Sequence, residues 1–272
     1  MYLLAIDIGN TTTSLGVFSA EGGSLPVRQV GAYGGKGKRL ILNFKLATHN
    51  KNVSFYKRNI LSIFNKAGIK LSDINKIIIC SVVPKKTPVF KRLLSSTFRK
   101  NILIVSKDIN IPIKNKYKKP RQVGQDRLVN AYAGLRLFGP GLILIDFGTA
   151  ITFDIVSKKG EYLGGLIFPG IDLSFEALSN KTALLPRVKI KLAKSLIGSN
   201  TQDCINNGVV YGVAGACDVI VDRLQKKFKG YKVIATGGNA NLIKKYSKKI
   251  SNVYPYLTLE GLRLISSLSI NS

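Results

Sequence analysis

Two short stretches, half a chain apart, constrain the fold more than anything else in the sequence. Leu3-Leu4-Ala5-Ile6-Asp7-Ile8-Gly9-Asn10-Thr11 and Leu142-Ile143-Leu144-Ile145-Asp146-Phe147-Gly148-Thr149 each carry an apolar run into an Asp-x-Gly turn. Each turn is followed by hydroxyl residues and a second apolar, β-branched run, so the same strand–turn–strand device occurs twice. Such a turn gathers glycine N–H groups and small hydroxyls around a phosphate, and an aspartate facing the same space can hold a metal ion or its water. Two such hairpins facing each other would clamp a triphosphate from both sides. A single turn aspartate is as often a plain Asx-turn residue. The second copy, after an equally apolar strand, moves the reading of Asp7 toward a shared ligand.

Hydrophobic periodicity and glycine or proline punctuation order the rest of the chain. Strands are predicted at 2–8, 14–20, 41–47, 76–83, 102–105, 142–146, 150–156, 161–167 and 232–235. Helices are predicted at 54–67, 88–98, 127–138 and 201–228, from 242 onward, and at 259–265. The basic stretch 107–121, with two prolines and no clear period, reads as a linker between halves. Gly208, Gly212 and Gly215 predict a helix that lets another backbone approach closely. The order of elements argues an α/β protein with one mixed sheet per half. The glycine- and lysine-rich stretch Gly31–Gly37 does not match a P-loop, and no G-x-G-x-x-G fingerprint occurs.

At 272 residues and 45% hydrophobic content the chain can bury two ordinary cores. The apolar start has no cationic leader and is broken by Asp7, so it reads as a buried strand and not as a targeting segment. No uninterrupted apolar run approaches the roughly 20 residues of a membrane helix. Three cysteines without a CxxC pair suit a reducing cytoplasm. With 42 basic and 14 acidic residues the net charge is +28, so a nucleic-acid partner is considered. The lysines are scattered, which favours a solvated basic surface over a dedicated nucleic-acid face. Anionic substrates such as ATP would be drawn by the same field.

Gly124-Gln125-Asp126-Arg127 opens a helix, and by themselves these residues favour a plain helix start. The functional alternative sets a carboxylate and a guanidinium beside free helix N–H donors, able to take a hydroxyl proton and hold an anion. Thr236-Gly237-Gly238-Asn239 is equally a generic turn or a place for close ligand approach. His49, the single histidine, is given no role. No zinc spacing and no hydrolase triad is present. Carboxylates, hydroxyls, glycines and lysines are the tools of phosphoryl transfer.

Taken in order, these motifs resemble the type III pantothenate kinases of the actin/Hsp70/sugar-kinase superfamily. The resemblance runs nearly end to end. It is carried by Asp7 to Thr11, Ser81-Val82-Val83-Pro84, Gly124 to Arg127, Asp146 to Ala150, Tyr162-Leu163-Gly164-Gly165, Pro169-Gly170, Thr182 to Pro186, Ile197 to Thr201 and Thr236 to Asn239. It implies two actin-like (ribonuclease H-like) domains, residues 1–116 and 117–272, each a mixed β-sheet flanked by helices, with the active site in the cleft between them. It implies that Asp7, Ile8, Gly9, Asn10, Thr11, Thr12, Thr13 and Ser14 form a first phosphate loop for ATP and that Thr149 belongs to a second. Asp126 would be the general base on the pantothenate hydroxyl. Tyr117, Gly124, Gln125, Asp126, Arg127 and Thr201 would contact pantothenate. Asp146 would bind a monovalent cation, K⁺ or NH₄⁺, and Asp7 would meet Mg²⁺. The resemblance also implies a homodimer; with the cysteine usage and the apolar pattern, a cytoplasmic protein without membrane association is expected. A transcription accessory role without kinase activity is the alternative. Gln125 and Ser199 depart from the residues usual in the family, but no carboxylate of the motifs is missing.

Overall fold

A computed structural model describes residues 1–19, 39–49, 51–193 and 195–268. The glycine- and lysine-rich stretch Gly31–Gly37 lies outside them, as does residue 20, the end of one predicted strand. In chain order the strands are β1 (Tyr2–Ile8), β2 (Thr12–Ser19), β3 (Leu40–Ala47), β4 (Ile74–Ser81), β5 (Ile102–Ile104), β6 (Lys114–Asn115), β7 (Leu142–Phe147), β8 (Ala150–Val156), β9 (Glu161–Pro169), β10 (Lys232–Gly237) and β11 (Asn252–Val253). The helices are α1 (Val53–Lys66), α2 (Thr87–Phe98), α3 (Gln125–Phe138), α4 (Ile171–Lys181), α5 (Thr201–Lys227), α6 (Ala240–Ile243) and α7 (Leu257–Ser266).

The chain divides into two compact units. The first is 1–112 with 121–133 and 258–272; the second is 113–120 with 134–257. Each unit holds one mixed sheet, ordered β3-β2-β1-β4-β5 in the first and β11-β10-β7-β8-β9-β6 in the second. In both, the Asp-x-Gly strand is central. It pairs antiparallel with the strand after its turn and parallel with a later strand on its other side. Apart from the added β6, the second sheet repeats the strand order of the first. The fold is therefore a duplicated actin-like α/β arrangement, two mixed sheets each flanked by helices.

In the first unit Leu4, Ile6 and Ile8 of β1 and Ile77 and Ile79 of β4 face the core built with Tyr56, Ile60 and Phe64 of α1 and Phe90, Leu94 and Phe98 of α2. These helix residues recur every fourth position, which keeps them on one face. Asn52 caps α1 by accepting from Phe55 N–H at 2.8 Å, and a cap of this kind contributes about 1 kcal/mol. Strand alternation turns Ala5 and Asp7 to the opposite face. Over that face lies α7: a Cβ on Gly16, the register partner of Ala5, would meet Leu259 at 3.0 Å. α3 packs on α7 in turn, because a Cβ on Gly261 would meet Val129 at 2.6 Å, and Thr258 donates to Asn130 Oδ1 at 2.7 Å.

In the second unit Ile143, Ile145, Phe147, Ile151 and Phe153 pack on Ile171 and Phe175 of α4 and on Val210, Val213, Ala214 and Cys217 of α5. Asp146 and Leu144 face the other way, and Gly134 of α3 lies against Leu144.

Two expectations are corrected, and a third meets no partner within the chain. The helix expected from 242 onward is the four-residue α6, followed by turns tied to Asp218, which accepts from Ser247 Oγ at 2.5 Å and Lys248 N–H at 2.8 Å. Gly208, Gly212 and Gly215 receive no close neighbour among the described residues; they are exposed. The stretch 107–121 is not featureless, since its residues 114–115 form β6 and extend the second sheet through β9. Among the described residues one helix, α5, is long and apolar enough by length and composition to cross a membrane, and half of that window is buried inside the structure. It carries the buried Asn206 and Asn207 and three aspartates, Asp203, Asp218 and Asp222.

Candidate active site

The first Asp-x-Gly loop is closed by its own backbone. Gly9 N–H donates to Thr12 O at 3.1 Å, and Thr11 O accepts from Thr48 N–H at 2.9 Å. Asn10 and Thr11 are exposed at the tip, and Thr12 and Ser14 are half-buried on the side of β2 that carries Asp7's register partner. Thr13 points the other way. It is fully buried, with Oγ1 2.9 Å from Thr48 Oγ1, while Tyr56 donates to Thr48 O at 2.7 Å. Its hydroxyl anchors the loop to the core, whereas Thr12 and Ser14 remain on the face of Asp7.

Asp126 reaches the same face from α3. Cys80 is the β4 partner of Asp7 in the sheet register and is completely buried. Its thiol is pushed well above the usual range, first by burial and then by the charges of Asp7 and Asp126. Both carboxylates therefore lie within electrostatic reach of one buried thiol. The approach is shaped by Gly124: a Cβ there would fall 2.5 Å from Asp126 Oδ1 and 3.8 Å from Val82. Asp126 Oδ1 also accepts from Arg127 N–H at 2.8 Å. Val82 N–H donates to Ile8 O at 3.1 Å, which ties the Ser81–Pro84 turn to the first loop. Arg127 is buried, and Gln125 Oε1 accepts from the Ser106 hydroxyl. Asp7, Ser14, Gly124 and Asp126 are thus brought together within the first unit. The sequence gives Cys80 no role, since only the β1–β4 register brings it beside Asp7.

The buried thiols make a test of this geometry. Burial and Asp218 push Cys217 up to about 12, whereas Cys204 is exposed. The thiolate is the reactive form. At pH 8 a thiol-specific disulfide reagent is expected to modify Cys204 in the folded protein and Cys80 and Cys217 only after unfolding. Rapid modification of native Cys80 would contradict the closed packing under Asp7. Both raised thiols contribute full stability below about pH 8.5, the ordinary thiol value. That contribution is lost as pH climbs from there toward the folded-state values.

In the second unit, Asp146 lies opposite Thr236 of β10 and Thr152 of β8. Gly237 is pressed against it: a Cβ there would come 2.5 Å from Asp146 Oδ1 and 2.7 Å from the Phe147 backbone, and its φ of +93° is one that L side chains rarely adopt. Gly237 is therefore needed by Asp146 itself. Gly170 backs the Gly148-Thr149 turn just as tightly, with its Cβ position 2.7 Å from Gly148 O. Tyr117 follows β6 and lies against Gly164 of β9. Thr201 opens α5 and is exposed, after the capping Asn200 whose side chain accepts from Asp203 N–H at 2.9 Å.

A family model described as type III pantothenate kinase matches residues 3–223. The chain belongs to the type III pantothenate kinase family. A type III pantothenate kinase from Geobacter sulfurreducens is 41% identical over 265 residues, which is 97% of each chain. Among solved structures, a protein described as a Baf family transcriptional activator from Campylobacter jejuni is 20% identical with a TM-score of 0.55, over 96% of each chain. Ethanolamine utilization protein EutJ from Carboxydothermus hydrogenoformans is 14% identical with a TM-score of 0.54, over 97% of this chain and 90% of that one. At such identities the structures support the type III pantothenate kinase chain's fold and nothing finer.

Proposed function

We propose that this chain transfers the γ-phosphoryl group of ATP to pantothenate, giving 4′-phosphopantothenate in the first step of coenzyme A biosynthesis. The observation that carries the reading is Asp126 at the start of α3, beside Gly124 and Val82, whose N–H is tied to Ile8 O next to Asp7. In this reading Asp7 to Ser14 hold ATP phosphates through the loop's backbone N–H groups and the Thr12 and Ser14 hydroxyls, with Thr13 as an internal anchor. Thr149 serves the second phosphate loop. Asp126 accepts the pantothenate hydroxyl proton, and Tyr117, Gly124, Gln125, Arg127 and Thr201 line the substrate site. Such catalysis is mostly positioning and electrostatics. The two functional halves are taken as residues 1–116 and 117–272.

The donors suit the cations. Among the described residues no cluster of three or more His, Cys, Asp or Glu side chains could hold a metal ion. Mg²⁺ arriving on a nucleotide needs only one or two carboxylates beside phosphates and water, and Asp7 is of that kind. Asp146, crowded by the backbone of Gly237, offers hard oxygen donors suited to K⁺ or NH₄⁺. When bound, both cations would offset phosphate charge. The decisive assay is coupled ADP release with pantothenate, Mg²⁺ and K⁺. Turnover is expected to depend on pantothenate and to fall when K⁺ is withdrawn; no pantothenate-dependent ADP release would refute the reading.

A homodimer is supported by an exposed apolar surface on the second unit: Ile167 of β9 is 67% exposed, Leu184 91% and Val219 of α5 54%. The glycine row of α5, on the same helix as Val219, adds bare backbone. Gly212→Glu is expected to shift sedimentation from dimer to monomer, and an unchanged dimer would remove α5 from the interface. A cytoplasmic location fits the free cysteines. Nucleic-acid binding is not favoured. Binding to random DNA that persists at physiological salt would revive it.

A further inference from the structure

Tyr117 has a built seat in the second unit. Its own N–H donates to Asn115 Oδ1 at 2.9 Å, and the preceding N–H, of Lys116, donates to Tyr162 O at 2.8 Å. Its ring rests on Gly164, where a Cβ would come 2.9 Å from Cδ2 and 3.1 Å from Cε2. Gly164 has φ +106°, a conformation closed to most L residues. The reason lies in the register. Ile155 pairs with Gly164 and Val156 with Tyr162, so Leu163 is an extra residue in β9. Such a bulge bends its strand and re-aims the neighbouring residues.

The bulge is pinned from beneath. Tyr162 is fully buried, and its hydroxyl donates to Asp154 Oδ1 at 2.7 Å. Asp154 is 1% exposed, and its Oδ2 accepts from Thr152 Oγ1 at 2.9 Å. A carboxylate so buried is tolerated only when hydrogen-bonded, and a satisfied buried network of this kind is rigid. By contrast the Lys114–Glu161 pair beside it, 3.0 Å apart, leaves its lysine 68% exposed and adds little.

We propose that the Leu163 bulge, locked by Tyr162 and Asp154, is a positioning device that holds the Tyr117 ring through Gly164 and so sets the affinity for pantothenate. The proposal rests on the reading of Tyr117 as a pantothenate contact. A methyl group at Gly164 occupies the ring's place, and a displacement on the ångström scale costs roughly tenfold to a hundredfold in a positioned contact.

The test is a double-mutant cycle of Gly164→Ala and Tyr117→Ala, read as separate KM values for pantothenate and ATP. Gly164→Ala is expected to raise the pantothenate KM by about tenfold with the ATP KM unchanged. The double variant is expected to be no worse than Tyr117→Ala alone. Tyr162→Phe, which keeps the ring and loses the bond to Asp154, is expected to act in the same direction and carries the test if Gly164→Ala does not fold. An unchanged pantothenate KM, equal rises in both KM values, or fully additive effects would overturn the proposal. A wild-type KM in Tyr117→Ala would also overturn it while leaving the kinase reading intact. Absence of pantothenate-dependent ADP release in the unaltered protein would instead bring down the kinase reading, and this proposal with it.

Discussion

Asp126→Asn is expected to lower kcat by about 10²–10⁴-fold, the usual contribution of a positioned general base. The substitution is nearly isosteric. Asparagine keeps an oxygen that can accept from Arg127 N–H, the 2.8 Å bond Asp126 Oδ1 makes at the start of α3. It cannot take a proton from an alcohol. Helix and fold should therefore survive, and the melting temperature should move by no more than a few degrees. An interaction made only in the transition state lowers kcat and kcat/KM together, so the KM values should change little. Coupled ADP release and a thermal melt on the same preparation decide the matter. Near-normal turnover would remove Asp126 from the chemistry. The companion change Gly124→Ala acts through geometry, since its methyl would fall 2.5 Å from Asp126 Oδ1.

Gly170→Ala is expected to destabilise the protein by about 3 kcal/mol, the upper end of overpacking, because the atoms it meets cannot yield. Gly170 adopts φ −70° and ψ 166°, open to any residue, so backbone strain is not the cause. The cause is space. The new methyl would stand 2.7 Å from Gly148 O and the Thr149 carbonyl carbon, and nearer still to Thr149 O. These are backbone atoms of the second Asp-x-Gly turn, not the ends of flexible side chains. Relief requires moving either that turn or the start of α4. In the proposed kinase the first option displaces Thr149, and the ATP KM should rise more than the pantothenate KM. Urea unfolding measures the stability loss. A wild-type midpoint would show that the turn and Gly170 are not in close contact.

Much of this was readable before any coordinates. β1 and β7 stood out because a central strand covered on both faces is a continuous apolar run, and glycine marked each turn. The direction of Thr13 is also readable, for alternation turns it to the face away from Asp7 and so sets it apart from Thr12 and Ser14 in the hydroxyl run. α4 escaped because Pro169-Gly170 reads as a break and only Ile171 and Phe175 are buried in it. β6 and β11 have two residues each, too few for any period. α6 stops early because Asp218 of α5 captures the turn that follows, a pull exerted from 30 residues away. Asp126 was the hardest to read. Nothing local separates it from an ordinary helix start, and its meaning depends on Cys80 and Asp7, which only the folded sheet brings near.

The first unit is assembled from segments far apart in the chain, which bears on how the protein is made. Residues 134–257 form one unbroken block, whereas the sheet begun at Tyr2 is covered by α7, near the other end of the sequence. On the ribosome, where domains mature as their parts emerge, the later half can finish while the earlier half still waits for Leu259. Order of synthesis and order of completion are reversed, and the early strands need protection from aggregation during that interval.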